Sequence, residues 1–257
     1  MSKTALITGS TSGIGLATAK AFAAKGYNIV FNGLEPDGAE IAAGVAKEYG
    51  IDYLFSAANM LHPEEIRGLA KEALDRFGTI EVLINNAGIQ FVSPIEDFPE
   101  EKWDAIIAIN LTAAFHLTKA VLPSMKANKY GRVVNISSAH GLIASPFKSA
   151  YVAAKHGIIG FTKVLALEGG EFGITANAIC PGYVHTPIVD KQIPDQMKAH
   201  NMTREEVIEK VFLAEHAIKE FISVDTIAQT ILYLADSEAA ATITGIAMPL
   251  DAGWTAH

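Results

Sequence analysis

Residues 8–15 read Thr8-Gly9-Ser10-Thr11-Ser12-Gly13-Ile14-Gly15, set between a short apolar run, Ala5–Thr8, and a helical pattern, Ile14–Lys25. A strand that turns through glycines into a helix is an arrangement suited to phosphate. Gly9 permits the tight turn, Gly13 lets backbone approach a pyrophosphate, Gly15 allows close packing, and the helix N-terminus favours the anion. The spacing is Gly-x-x-x-Gly-x-Gly, and no Gly-Lys-Ser/Thr closes the loop, so a P-loop is excluded. Glycines alone are a weak signal, and an ordinary turn is the alternative. Their place between strand and helix favours a dinucleotide held by Gly9, Thr11, Ser12, Gly13, Ile14 and Gly15.

The same alternation continues outward. Short apolar runs predict strands at Asn28–Asn32, Val82–Asn85, Arg132–Ser137, Thr175–Cys180 and Ala247–Leu250. Helical patterns fall between them at Pro63–Phe77, Glu100–Lys126, Ala150–Glu168 and Val224–Leu234. Parallel strands need such crossovers, so the fold class is α/β, a doubly wound Rossmann-type parallel sheet. No linker or repeat divides the 257 residues, so 1–257 is expected to be a single catalytic domain. One segment, 184–221, departs from the alternation. It contains Pro187 and Pro194, a capping-box pattern at Thr203-Arg204-Glu205-Glu206, and an apolar stripe of Val207, Ile208, Val211 and Phe212. Such a stripe is commonly core packing, but an insertion at a strand's carboxyl end also suits a substrate-binding lid.

Composition excludes several partners. The formal net charge is −8, which argues against nucleic acid. Half the residues are apolar and 19% charged, a core-forming balance. Charged and polar residues interrupt each apolar run short of the roughly 18 residues needed for a bilayer, so no membrane partner is expected. The single Cys180 and the lack of a signal-like start suggest a cytoplasmic setting. No metal is expected from one Cys and eight His without a His-Glu-x-x-His pattern.

Cofactor choice is read at Asn32-Gly33-Leu34-Glu35, where the second strand ends. A 2′-phosphate calls for Arg or Lys, whereas Leu34 is apolar and Glu35 repels it, so NAD is expected over NADP. Glu35 as a solvated loop charge is the alternative. The chemistry-bearing set is Asn110, Ser138, Tyr151 and Lys155. Tyr151 and Lys155 lie four apart in a helical pattern and share one face. A free phenol has a pKa of about 10; a lysine field favours the phenolate, which can take a proton from an alcohol as hydride leaves the same carbon. Ser138 can hydrogen-bond the substrate oxygen.

Taken together these residues resemble the short-chain dehydrogenase/reductase family along the whole chain. The resemblance is carried by Thr8–Gly15, Asn85-Asn86-Ala87-Gly88, Asn110, Ser138, Tyr151-Val152-Ala153-Ala154-Lys155 and Pro181-Gly182 with Thr186. It implies that Asn86, Ala87 and Gly88 border the nucleotide. Asn110 would hold a water in a proton relay to Lys155, and Pro181, Gly182, Val184 and Thr186 would contact the nicotinamide side. Asn59 and Met60 stand where many members place an Asp by the adenine; an amide can also serve there. For Asn86–Gly88 a turn after a strand is the simpler reading.

Around the tetrad, the residues suggest an anionic substrate. His140 and Lys148 lie in the segment linking Ser138 to Tyr151, while Gln90 and Gln192 add neutral donors. With Ser138 and Tyr151 they suit a small hydroxy or keto acid whose carboxylate lies about two carbons from the carbinol. Singly, Lys148 is more simply a solvated charge and His140 a structural residue. The same residues, with Asp251-Ala252-Gly253-Trp254, resemble the branch of the family that oxidises D-3-hydroxybutyrate. Trp254 would then reach a neighbouring active site or pack in the core. Reduction of 3-oxoacyl thioesters, polyol or sugar oxidation, and nucleotide sensing without chemistry are the alternatives. A methyltransferase would leave Ser138, Tyr151 and Lys155 unexplained. Helices at Glu100–Lys126 and Ala150–Glu168 are apolar on more than one face, which suggests a homo-oligomer, and the resemblance implies a homotetramer.

Overall fold

The computed structural model describes residues 2–185 and 187–256, without the side chains at positions 187, 188, 191, 192, 195, 199 and 200. In chain order it runs β1 (Thr4–Ile7), α1 (Gly13–Ala23), β2 (Asn28–Asn32), α2 (Gly38–Tyr49), β3 (Tyr53–Ser56), α3 (Pro63–Phe77), β4 (Val82–Asn85) and α4 (Glu100–Ile107). It continues through α5 (Ala113–Asn128), β5 (Gly131–Ile136), α6 (Ser149–Gly169), β6 (Ile174–Pro181), α7 (Pro187–His200), α8 (Arg204–Val207), α9 (Val224–Asp236) and β7 (Ala247–Leu250). The seven strands form one parallel sheet in the order β3-β2-β1-β4-β5-β6-β7.

Strand side chains alternate between two apolar layers. Ala5, Ile7, Ile29, Phe31, Val82 and Ile84 face α1 and α9, meeting Phe22, Ile227 and Ile231. Leu6, Val30, Leu83 and Val133 face the other way, against Ile66, Leu69, Leu117, Val121 and Leu165. Burial on both faces explains why these strands read as unbroken apolar runs. The order reverses between β1 and β4, so the crevice beyond their carboxyl ends is where a ligand lies in such a sheet.

Two elements escape the sequence pattern. α2 carries two glycines, Gly38 and Gly44, yet buries Ala42, Val45 and Ala46 and stops at Gly50 with φ +67°. β3 has only four half-buried residues on the sheet edge. The expected helix over 100–126 also differs: residues 108–112 form a π-helical turn between α4 and α5. The expectation that no segment reaches bilayer length is corrected, because Glu100–Asn128 is long and apolar enough by length and composition. Patterning by uninterrupted runs missed it. Its Ala113, Ala114, Leu117, Val121 and Met125 are buried in the protein. The capping box at Thr203 and Glu206 is present, with both reciprocal bonds formed.

Phe22 on α1 is wholly buried, edge-on to Tyr27 with ring centroids 5.1 Å apart. Phe22→Ala is expected to cost about 3–5 kcal/mol, read as a lowered urea midpoint with an unchanged slope.

Candidate active site

The glycine loop leaves β1 and folds onto the loop after β4. Thr8 Oγ1 accepts from the backbone N–H groups of Asn86 and Ala87, each at 3.0 Å. Asn86 Nδ2 in return donates to the carbonyls of Thr8 at 2.8 Å and Gly9 at 3.0 Å. Gly9 and Gly13 have φ of +60° and +51°, a conformation open to glycine. A Cβ on Gly15 would overlap the Gly9 carbonyl oxygen. The segment Asn86–Gly88 is therefore stitched to the phosphate-loop backbone, more than a simple turn. Ser12, at the N-cap of α1, makes no side-chain cap, so the first-turn N–H groups of that helix stay available to an anion. These features fit a dinucleotide.

Ser12 does not cap because its hydroxyl donates to Glu35 Oε1 at 3.1 Å, while Thr11 donates to Glu35 Oε2. Burial would raise the Glu35 carboxyl, but these hydroxyls and nearby backbone N–H groups outweigh it and hold it below the usual range. A fixed carboxylate thus stands at the end of β2, beside an exposed Leu34. Sequence reading left Glu35 among possible loop charges; its two hydroxyl partners lie more than twenty residues away and carry no local signal. Asn59 spends its Oδ1 on the Leu61 N–H at 3.0 Å, so its amide NH2 is the group left to present, and Met60 is buried beside it.

The tetrad gathers where β5 ends and α6 begins. Lys155 is buried, and its Nζ donates to the Ile136 carbonyl at 2.7 Å. The ammonium lies 5.5 Å from the Tyr151 ring centroid. Burial raises the Tyr151 phenol, opposed by the Ser138 hydroxyl, and burial pulls Lys155 down to about 8. The field expected from Lys155 therefore does not by itself bring the phenol down. Asn110 is buried in the π-helical turn, where its Oδ1 accepts from Ile89 N at 2.8 Å and its Nδ2 donates to Ile89 O at 2.9 Å. It also lines a cavity of about 10 Å³ with Thr8, Asn85, Ala87 and Ile136, just large enough for one water.

His140 is the hub of the substrate side. Ser138 Oγ accepts from His140 N at 3.1 Å and lies 3.5 Å from its Nδ1. Lys148 Nζ is 3.5 Å from His140 Nε2, and Ser145 Oγ is 2.9 Å from the same nitrogen. An ammonium only donates, so Nε2 is the acceptor and Nδ1 carries the proton toward Ser138. Burial, helped by the Lys148 charge, pushes His140 down to about 4, and burial lowers Lys148 as well. Trp254 is buried edge-on to His140, centroids 5.1 Å apart, and stacks on Tyr183 at 5.4 Å. It packs within its own chain, as the core-packing alternative expects. Ser145 and Tyr183 also surround this pocket without having been singled out by sequence.

Gln90 is exposed on the loop after β4. Pro181 ends β6 and Gly182 follows it, where an added Cβ would meet His216 Nε2 at 2.8 Å. Val184 is buried and pairs with Ile222. Thr186 and the Gln192 side chain lie outside the described residues.

A glycine loop at the switch point beside buried Ser138 and Lys155 and half-buried Tyr151 defines a nucleotide-dependent oxidoreductase. Residues 3–197 match the short-chain dehydrogenase family model, and the chain belongs to that family, whose fold binds a nicotinamide cofactor. Among its relatives, the D-beta-hydroxybutyrate dehydrogenase of Rhizobium meliloti is 53% identical over the whole of both chains. The protein of the same name from Cupriavidus necator is 48% identical over 99% of this chain and 98% of its own. A 3-oxoacyl-[acyl-carrier-protein] reductase from Synechocystis is 38% identical over 97% of this chain and 95% of its own.

His140 resists protonation in the folded state relative to its ordinary 6.5. Between about 6.5 and about 4 the unfolded chain therefore binds a proton that the folded chain refuses, and stability falls as the pH is lowered through that window. This linkage amounts to on the order of 3 kcal/mol. Chemical denaturation across that window should show a shallower loss for His140→Gln than for wild type; parallel curves would contradict it.

Proposed function

We propose that the protein catalyses the reversible, NAD-dependent oxidation of D-3-hydroxybutyrate to acetoacetate. The observation that carries this reading is half-buried Lys148 set against buried, neutral His140 beside Ser138, which leaves the ammonium charge and its remaining N–H donors to a small carboxylate. The two hydroxybutyrate dehydrogenase relatives support it.

NAD, when bound, would supply the acceptor for the carbinol hydride and a positively charged ring. Tyr151 accepts the hydroxyl proton, with Lys155 holding the helix face and the nearby charge. Ser138 keeps its own hydrogen for the substrate oxygen, because its lone pairs are already served by the His140 backbone and ring. Asn110, which borders the water-sized cavity, would hold a water of the proton relay to Lys155. Gln90 and Gln192 complete the carboxylate contacts, and 184–221 closes over them and excludes water. Gly9, Thr11–Gly15, Leu34, Asn59, Met60, Asn86–Gly88, Pro181, Gly182, Val184 and Thr186 hold the cofactor. Glu35 sets its choice, since a fixed carboxylate repels a 2′-phosphate. A bulky thioester makes no use of the half-buried Lys148 ammonium, so the reductase reading is the weaker one.

The protein works as a cytoplasmic homotetramer in this reading. Phe115, Val164 and Leu167 on α5 and α6 are exposed at 45%, 52% and 85%, and a second copy is the natural cover for them.

Tyr151→Phe should abolish turnover while leaving NAD binding intact; undiminished turnover would overturn the proton role. Lys148→Ala should raise KM for D-3-hydroxybutyrate by roughly tenfold or more, with little change for an uncharged secondary alcohol. Equal losses on both substrates would contradict the carboxylate assignment. Glu35→Gln should narrow the preference for NAD over NADP in steady-state kinetics, and an unchanged ratio would remove Glu35 from cofactor choice.

A further inference from the structure

Four non-glycine residues among those described adopt positive φ: Lys129, Phe147, Asn201 and Ala252. Lys129 ends α5 and Asn201 follows α7, ordinary places for a left-handed stop. Phe147 and Ala252 have no such excuse. For a bulky side chain the left-handed region is a genuine outlier, costing about 1–3 kcal/mol, and it persists only where surroundings over-determine it.

Both outliers converge on His140. Phe147, with φ +66°, immediately precedes Lys148, whose ammonium meets His140 Nε2. Ala252, with φ +54°, lies two residues before Trp254, whose ring meets His140 edge-on. Each is held through its carbonyl. Ser93 N donates to Phe147 O at 2.9 Å, and Ala217 N and Ile218 N donate to Ala252 O at 2.9 and 3.0 Å. The Phe147 ring is 56% exposed, so burial of the aromatic does not offset the backbone cost. What the conformation achieves is a reversal of the chain: Lys148 leaves the loop, turns, and its carbonyl accepts the Val152 N–H at 2.9 Å as α6 begins. The Ser93 bond also ties this loop to the one that carries Gln90.

We propose that Phe147 is a positioning residue for substrate recognition, its left-handed backbone aiming Lys148 at the carboxylate while Tyr151 stays on the helix that follows. This rests on the carboxylate reading above. The backbone conformation matters here and the aromatic ring does not.

Three variants separate the possibilities, measured by KM and kcat with D-3-hydroxybutyrate, KM and kcat with an uncharged secondary alcohol, and Tm. Phe147→Val, β-branched and ill suited to positive φ, should raise the hydroxybutyrate KM at least about tenfold and leave the uncharged alcohol within about twofold. Phe147→Asn, which tolerates positive φ, should keep the hydroxybutyrate KM within about twofold of wild type and raise Tm. Equal damage by Val and Asn would assign the effect to the lost ring and overturn the proposal, as would a Val variant with unchanged KM. Should Phe147→Val fail to fold, the Asn variant still decides: a raised KM refutes the backbone role, and a retained KM with a higher Tm supports it. Lys148→Ala tells the two readings apart. If it leaves the hydroxybutyrate KM unchanged, the carboxylate assignment falls and this inference with it; if it raises KM while Phe147→Val does not, only this inference falls.

Discussion

The bond from Lys155 Nζ to the Ile136 carbonyl, 2.7 Å long and buried, joins the helix that carries the acid/base pair to the end of the central sheet. The same residue is held from its other side, because Ser137 Oγ donates to the Lys155 carbonyl at 2.9 Å. Helix and strand are therefore locked at one residue through both its side chain and its backbone. Deeper in the core a polar chain repeats the lock: Asn85 Nδ2 donates to Asn135 Oδ1, and Asn135 Nδ2 to Thr162 Oγ1, both at 2.8 Å. Burying these groups unpaired would cost dearly, so a slip of α6 along the sheet is strongly opposed.

With α6 fixed, the positions of the reacting groups follow. Ser138 comes two residues after Ile136, and Tyr151 one helical turn before Lys155, so strand end and helix face meet across the crevice. The short connection between them must then return over the site, and it brings His140, Ser145 and Lys148 together. Burial shapes their charge. His140 stays neutral and orients one hydrogen toward Ser138, while the Lys148 ammonium stands on its far side. The chain carries a net charge of −8, yet beside Ser138 the sign is locally reversed, which suits a small carboxylate.

Much of this was legible in sequence because its signals are local. The glycine loop, the Tyr151–Lys155 spacing and the runs at Asn28–Asn32 and Val82–Asn85 each depend on neighbours a few residues apart, and the structure places them where those patterns predict. The features that escaped depend on distant partners. Glu35 is ordered by Thr11 and Ser12 from another loop. The π-helical turn around Asn110 interrupts a continuous helical pattern because Asn110 bonds Ile89 across the crevice. β3 owes its pairing to β2 more than to its own four residues, and α2 holds despite its glycines because Ala42, Val45 and Ala46 pack inward. The left-handed backbone at Phe147 runs against the residue's own preference, and no pattern in the chain announces it.

The central claim is that this crevice recognises a small 3-hydroxy carboxylate and passes its hydride to NAD. Its most direct test is the appearance of reduced nicotinamide absorbance when the wild-type protein and NAD meet each enantiomer of 3-hydroxybutyrate in turn. The account predicts turnover of the D-isomer and little of the L-isomer. Absence of turnover with the D-isomer, alongside activity on another alcohol of this family, would contradict it.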